Sequence, residues 1–287
     1  MSGILRAVGD SRTPLVSLVF STIFNLFLDL VCVMVLGLGV LGAALATVVS
    51  QGLCGMFCFI YIHRKVEVLT LHRRNCVLSS RMILNLLALG LPMGLQFSIT
   101  AIGSMILQTA NNSLGSTYIS SFTAVTKLKQ LFFAPFRALG IAVSTFASQN
   151  MGAHKVDRIK KGLLQGTVIG VVFGFCLGFL FWYFGEYFIM LFIHREETDV
   201  IMYAKQYLVT LGMFYWVIGI LNIWRPSVQS KGYSGKAMFA GFFELAARSL
   251  VTFIFVPVYG YSAICFADPT AWIFSVSFIV PVMVRAL

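Results

Sequence analysis

Asn25 and Asp29 are the polar residues most out of place in their surroundings, the run LVSLVFSTIFNLFLDLVCVMVLG. They lie four apart and share one face of a helix. A carboxylate inside an apolar span costs about 3 kcal/mol by insertion scales, so it is rarely idle. Its chemistry is simple: one charge that takes up a proton or a metal cation, beside an amide that donates and accepts. Thr47 brings a hydroxyl from the next run, VLGAALATVVSQ, across a hinge at Gly37-Leu38-Gly39. Asp29 is eight residues before Gly37 and Thr47 eight after Gly39. At about 1.5 Å per residue, both sit roughly 12 Å below the same membrane surface. The competing reading is a hydrogen-bond cluster that merely joins two helices, for about 0.6 kcal/mol per contact.

A second polar group lies later in the chain. Glu244 and Arg248, in GFFELAARSLV, share a helix face and read first as an intrahelical ion pair. Asp268, just before Pro269, is within reach of Arg248's long side chain. Lys127, Lys129 and Arg137 lie in one apolar stretch and must face water, protein partners or the interface. Lys127 and Lys129 cannot share a face. The expected network is Glu244, Arg248, Asp268 and Lys127. Gln96, Gln108, Asn111 and Asn112 would bind substrate or join helices.

These residues need helices that cross a membrane. Hydrophobic residues make up 59% and charged residues 11% of 287, with a mean hydropathy of +0.89. Eight apolar runs reach the span length of about 20 residues: roughly 14–36, 40–62, 82–109, 117–147, 162–192, 200–224, 237–257 and 260–284. The class is all-α, a polytopic membrane helix bundle. Short alternating β-barrel strands are excluded. Pro92, Pro135, Pro257 and Pro269 are potential kinks. No G-x-x-x-x-G-K-[ST] loop signals an ATPase. No nucleophile–base pair lies at one depth, so an enzyme is not expected. The six cysteines form no C-x-x-C pair and read as small apolar packers, and the four histidines lack metal-ligand spacing. Neither a metal site nor a cofactor is expected.

The net charge of +11 does not point to nucleic acid, because the charges sit in short loops between apolar runs. One set of loops holds Arg6 and Arg12; Arg64, Lys65, Arg73, Arg74 and Arg81; Lys155, Arg158, Lys160 and Lys161; Arg225, Lys231 and Lys236; and Arg285. The other holds Arg195 beside Glu196, Glu197 and Asp199. The positive-inside rule puts the first set, and both termini, in the cytoplasm of a multi-pass protein. His63 to Ser80 reads as a linker between residues 1–62, with two spans, and residues 81–287, with six. Gly39-Val-Leu-Gly-Ala-Ala-Leu-Ala46 resembles Gly260-Tyr-Ser-Ala-Ile-Cys-Phe-Ala267, so the two parts contain parallel repeats. On that reading four helices are missing before Met1, and residues 1–287 alone are not expected to export anything.

LRAVGDSRTP, then N-x-x-x-D, then GVLGAALATVVSQ, resemble the fifth and sixth helices of the MATE family of multidrug and toxin extrusion transporters. LGLPMGLQ at 89–96 and STFASQNMGA at 144–153 agree in order and spacing. The resemblance implies a two-lobe fold of twelve helices, of which this chain matches the last eight. It implies that Asn25, Asp29 and Thr47 line the amino-terminal lobe's cavity. The implied activity is alternating-access export of small organic, often cationic, xenobiotics across the cell membrane, coupled to H⁺ or Na⁺. Phe and Met side chains would suit such substrates. The rivals are a lipid or oligosaccharide-lipid flippase of the same superfamily and a non-transporting membrane remnant.

Overall fold

A computed structural model describes residues 1–66, 69 and 79–286, the side chain of 286 excepted. Arg73, Arg74, Cys76 and His72, and most of the expected linker, lie outside the described residues. The chain divides into two compact units, Met1–Ser79 and Ser80–Leu287. Among the described residues there is helix and turn only.

The first unit holds a short α1 (Ser2–Ala7), then α2 (Arg12–Asp29) and α3 (Gly39–Lys65). Asp10 starts α2 by accepting the Thr13 N–H at 3.0 Å, and this bond holds its carboxyl below the usual range. After Asp29 the helix widens into a π turn, Leu30–Val35. Gly37 and Gly39 then reverse the chain with φ of 63° and 53°, values that cost glycine nothing. The hairpin closes through small residues. Ser17 and Ser21 of α2 meet Ser50, Cys54 and Cys58 of α3, and the Ser21 hydroxyl donates to the Ser50 carbonyl at 2.7 Å. Small side chains let two backbones approach where no water drives them together.

The second unit holds α4 (Ser80–Asn112), α5 (Ser116–Gly152), α6 (Val156–Ile189), α7 (Thr198–Met213), α8 (Tyr215–Ser230), α9 (Ser234–Leu250), α10 (Val256–Tyr259) and α11 (Tyr261–Ala286). The expected span at 200–224 is broken: α7 and α8 meet at Phe214 with a bend of 53°. No proline causes it, while α4, α5 and α11 run through Pro92, Pro135 and Pro269. The bent pair lies close against the glycines of α6. A Cβ on Gly174 would stand 2.6 Å from the Trp216 nitrogen, and one on Gly178 would stand 2.5 Å from the Gly212 carbonyl oxygen. Gly170, Gly174 and Gly178 thus form a flat strip onto which the bent pair presses its backbone. Gly174→Leu is expected to destabilise the second unit by about 3 kcal/mol, since backbone rather than side chain blocks the new group. Gly185→Ala, whose Cβ would meet only Leu208 at 3.5 Å, should melt like the wild type in detergent. Equal melting temperatures for Gly174→Leu and wild type would contradict this packing.

The repeat expected from the sequence extends to backbone detail. With Gly39 set against Gly260, the π turn Leu30–Val35 falls on the π turn Val251–Phe255. The buried stripe Gly42, Ala46, Ser50, Cys54, Cys58 and Ile62 falls on Ala263, Ala267, Ala271, Ser275, Ile279 and Met283, all buried. Each hairpin therefore enters its second helix through a positive-φ glycine and buries every fourth residue.

Candidate functional site

In the first unit, Asp29 is the last α-helical residue before the π turn, and Asn25 stands one turn earlier. Asp29 Oδ1 and Asn25 Nδ2 are both buried atoms with no hydrogen-bond partner among the described residues. Buried polar atoms are normally paired, so two orphans one turn apart mark an unfinished site. Thr47 does not complete it. Its hydroxyl donates to the Ala43 carbonyl at 2.9 Å in its own helix, and the residue is exposed. The depth argument concerned position along α3 and said nothing of direction around it. The face turned to α2 carries Ala46 and Ser50 instead. Near this hairpin's other end, Phe20, Phe24, Met56 and Phe57 line a cavity of about 530 Å³.

In the second unit, charged residues from separate helices converge. Asp268 of α11 accepts Lys129 Nζ of α5 at 2.6 Å on Oδ2, and the Tyr207 hydroxyl of α7 at 3.1 Å on the same oxygen. Its Oδ1 accepts Arg248 of α9 through Nε at 3.0 Å and Nη2 at 2.9 Å. Glu244 Oε1 is bonded to Arg225 of α8, which also donates to Ser275 of α11 at 2.6 Å. Glu244 Oε2 accepts the Thr100 hydroxyl of α4 at 3.4 Å. The expected intrahelical pair is present, as a long contact inside this wider network. Arg248 Nη1 lies 3.9 Å from Glu244 and spends its closer contacts on Asp268. Six helices are tied together by these bonds. A buried ion pair offsets its desolvation only when its remaining donors and acceptors are also satisfied.

Lys127 is not part of this network, contrary to expectation. Its ammonium lies 5.8 Å from the Phe192 ring, in a cavity it shares with His194 and Glu197. Lys129, two residues on and on the other face, takes the place at Asp268. Arg137, Gln108 and Asn112 are exposed, Asn111 donates to the Tyr118 carbonyl at 3.3 Å, and Gln96 accepts from Gln229 at 2.6 Å. Arg225, Tyr207, Ser275 and Thr100 were missed. Arg225 was placed in a loop after the run that ends near 224, yet α8 continues through Pro226 to Ser230. The signal was present: Val228 keeps the apolar pattern going beyond the proline, and it is buried.

Repeated apolar hairpins and charge networks buried between helices define a multi-pass α-helical membrane protein. The MatE family model matches residues 92–262. "Probable multidrug resistance protein YpnP" of Bacillus subtilis is 35% identical over 233 residues, covering 81% of this chain and 51% of the relative. "Probable multidrug resistance protein YoeA" of the same organism is 28% identical over 79% of this chain and 50% of the relative. Among solved structures, a MATE protein in complex with MaL6 superposes with a TM-score of 0.90 at 20% identity, over 99% of this chain and 65% of that one. The chain belongs to the MatE family, whose members are transporters rather than enzymes. It spans about half the length of the curated relatives it matches.

Proposed function

We propose that the protein works as a cation-coupled antiporter, exporting small organic molecules, often cationic, by alternating access. Family membership supports transport, and the observation that carries the coupling is the unpaired Asn25–Asp29 pair beside the π turn. A proton or Na⁺ would supply what the buried Asp29 oxygen lacks, beside the amide of Asn25. Wide helical turns of this kind recur at functional sites because they interrupt the regular ladder. Bound cation would bias the hairpin between two arrangements, provided its affinity differs between them. The Phe- and Met-lined cavity supports greasy, flat substrates. Met1–Ser79 is assigned to the amino-terminal lobe and Ser80–Leu287 to the carboxy-terminal lobe. The test is dye efflux in everted vesicles carrying the protein, with a proton gradient and, separately, a Na⁺ gradient imposed. Efflux that follows one gradient and stops when it is collapsed is expected; efflux indifferent to both would end the antiporter reading.

We also infer that both termini face the cytoplasm of the cell membrane. The basic residues Lys155, Arg158, Lys160 and Lys161 gather at the start of α6, and acidic Glu196, Glu197 and Asp199 at the start of α7. A single cysteine at Gly152, in a cysteine-free background, should resist impermeant thiol reagents applied to intact cells, while one at Thr198 reacts. The reverse pattern would invert the topology.

A further inference from the structure

The start of α6 and the turn between α8 and α9 meet at one corner of the second unit. The two helices run antiparallel along the glycine strip. A Cβ on Gly174 would meet Trp216, and seven residues earlier on α6 the Thr167 hydroxyl accepts Trp224 Nε1 at 2.8 Å. Seven residues further, two more turns on each side, stand Lys160 of α6 and Lys231, which caps α8. The two ammonium groups feel each other there. Burial, and then the nearby charge of Lys160, hold Lys231 below the usual lysine range. Residues 155–161 and 230–236 together hold six lysines and arginines against one carboxylate, Asp157. Lys160 also heads an apolar stripe. Leu164, Val168 and Val172 follow it at four-residue steps and are 66%, 54% and 55% exposed. Across the corner, Lys236 Nζ stands 4.5 Å from the ring centroid of Tyr233, which is exposed. Long cations and amphipathic rings collect at the headgroup level of a bilayer. Then α9 starts with no side-chain cap, so its first N–H groups add donors at the same end.

We propose that this corner seats an anionic phospholipid, its phosphate on Lys160 and Lys231 and one acyl chain along Leu164, Val168 and Val172. Two cations held close repel each other, and a phosphate between them replaces that repulsion with two charge-assisted hydrogen bonds. Basic pockets between membrane helices suit anionic headgroups for this reason. A zwitterionic lipid brings its own cation to the corner and gains less. The apolar stripe below Lys160 favours a lipid over a soluble anion, because only a lipid fills both parts of the site. The site is separate from the Asn25–Asp29 pair and does not depend on the exporter reading.

The test is a thermal-unfolding titration of the purified chain in maltoside micelles. Phosphatidylglycerol is added in one series and phosphatidylcholine with the same acyl chains in another. Both ends of the protein meet lipid in a micelle, so the result does not depend on which end faces the cytoplasm. Phosphatidylglycerol should raise the melting temperature saturably and by more than phosphatidylcholine, since a ligand of the folded form stabilises it. Lys160→Gln with Lys231→Gln should weaken the apparent affinity for phosphatidylglycerol about thirtyfold, each lysine contributing about fivefold at an anionic surface. The response to phosphatidylcholine should not change. Lys160→Arg, which keeps the charge, should bind phosphatidylglycerol like the wild type. Arg195→Gln with Lys205→Gln removes the same charge beyond the other end of α6, where Lys205 pairs with Glu186, and should leave the affinity unchanged. If the double lysine variant does not fold, Lys160→Gln alone decides, with about a fivefold loss expected. Equal responses to the two lipids, or an undiminished affinity in Lys160→Gln, overturns the proposal. An equal loss in the Arg195 and Lys205 variant would mean diffuse attraction to a basic protein, and would remove the corner as a site. Inorganic phosphate that reproduces the whole shift would assign the corner to a soluble anion and overturn the lipid assignment.

Discussion

Asp29→Asn is expected to abolish gradient-driven efflux while leaving the amount of inserted protein unchanged. The substitution keeps the size of the side chain and removes the one charge that α2 carries in its apolar stretch. Insertion becomes easier by about 3 kcal/mol in the limit of a fully buried charge, so a loss of efflux could not be attributed to failed insertion. The carboxylate is useful because its Oδ1 is buried and unpaired. A group already satisfied by a lysine, as Asp268 is, would bind a further cation poorly. Asn25→Ala should weaken coupling less, since it removes an amide donor and leaves the charge. Vesicle efflux and quantitative immunoblotting of the same membranes provide the two readouts. Wild-type efflux from Asp29→Asn would remove Asp29 from the coupling step.

Asp268→Ala carries the largest expected stability effect, about 3–5 kcal/mol. It strands two cations at once, Lys129 and Arg248, and removes the acceptor of the Tyr207 hydroxyl. The side chain is only 3% exposed, so water does not readily replace it. Breaking one partner of a buried pair leaves an uncompensated charge, which costs more than the pair was worth. The double variant Asp268→Ala, Lys129→Met should recover part of the loss by removing one of the stranded cations. Thermal unfolding in detergent micelles measures both. A melting temperature for Asp268→Ala within a degree or so of the wild type would mean that this network contributes nothing to the fold.

Much of the helical frame was legible, because a span must be about 20 apolar residues long whatever it packs against. The starts of α2, α3 and α5 fall close to the ends of the apolar runs. The α5 helix continues to Gly152 past the run that ends near 147, since polar residues outside the bilayer carry no hydropathy signal. The break at Phe214 was hidden because no proline marks it and its close packing partners, the glycines of α6, lie on another helix. The polar sites were legible as residues but not as partnerships. Asp29 and Asn25 stood out by type. Thr47 was matched by depth, and depth does not fix the direction a side chain takes around its helix. The choice between Lys127 and Lys129 had the same character: both stand in one span, and only the packing of α5 against its neighbours decides which meets Asp268. Arg225 was lost because its counter-charge, Glu244, sits on the following helix.

The matched π turns also set the direction of their helices. A wide turn arises when one extra residue enters a helix, and it rotates everything downstream by about 100°. Both hairpins hold theirs at the same distance before the reversing glycine. Two hairpins that agree in so local an irregularity meet the same geometric demand: each first helix is re-aimed just before the chain reverses. The carboxylates do not agree: Asp29 falls opposite Leu250, and Asp268 opposite Thr47. The mechanical frame is thus repeated while the chemistry placed on it is not. The two carboxylates stand on opposite arms of their hairpins, Asp29 ahead of its reversing glycines and Asp268 eight residues past Gly260, at a similar distance from the bend.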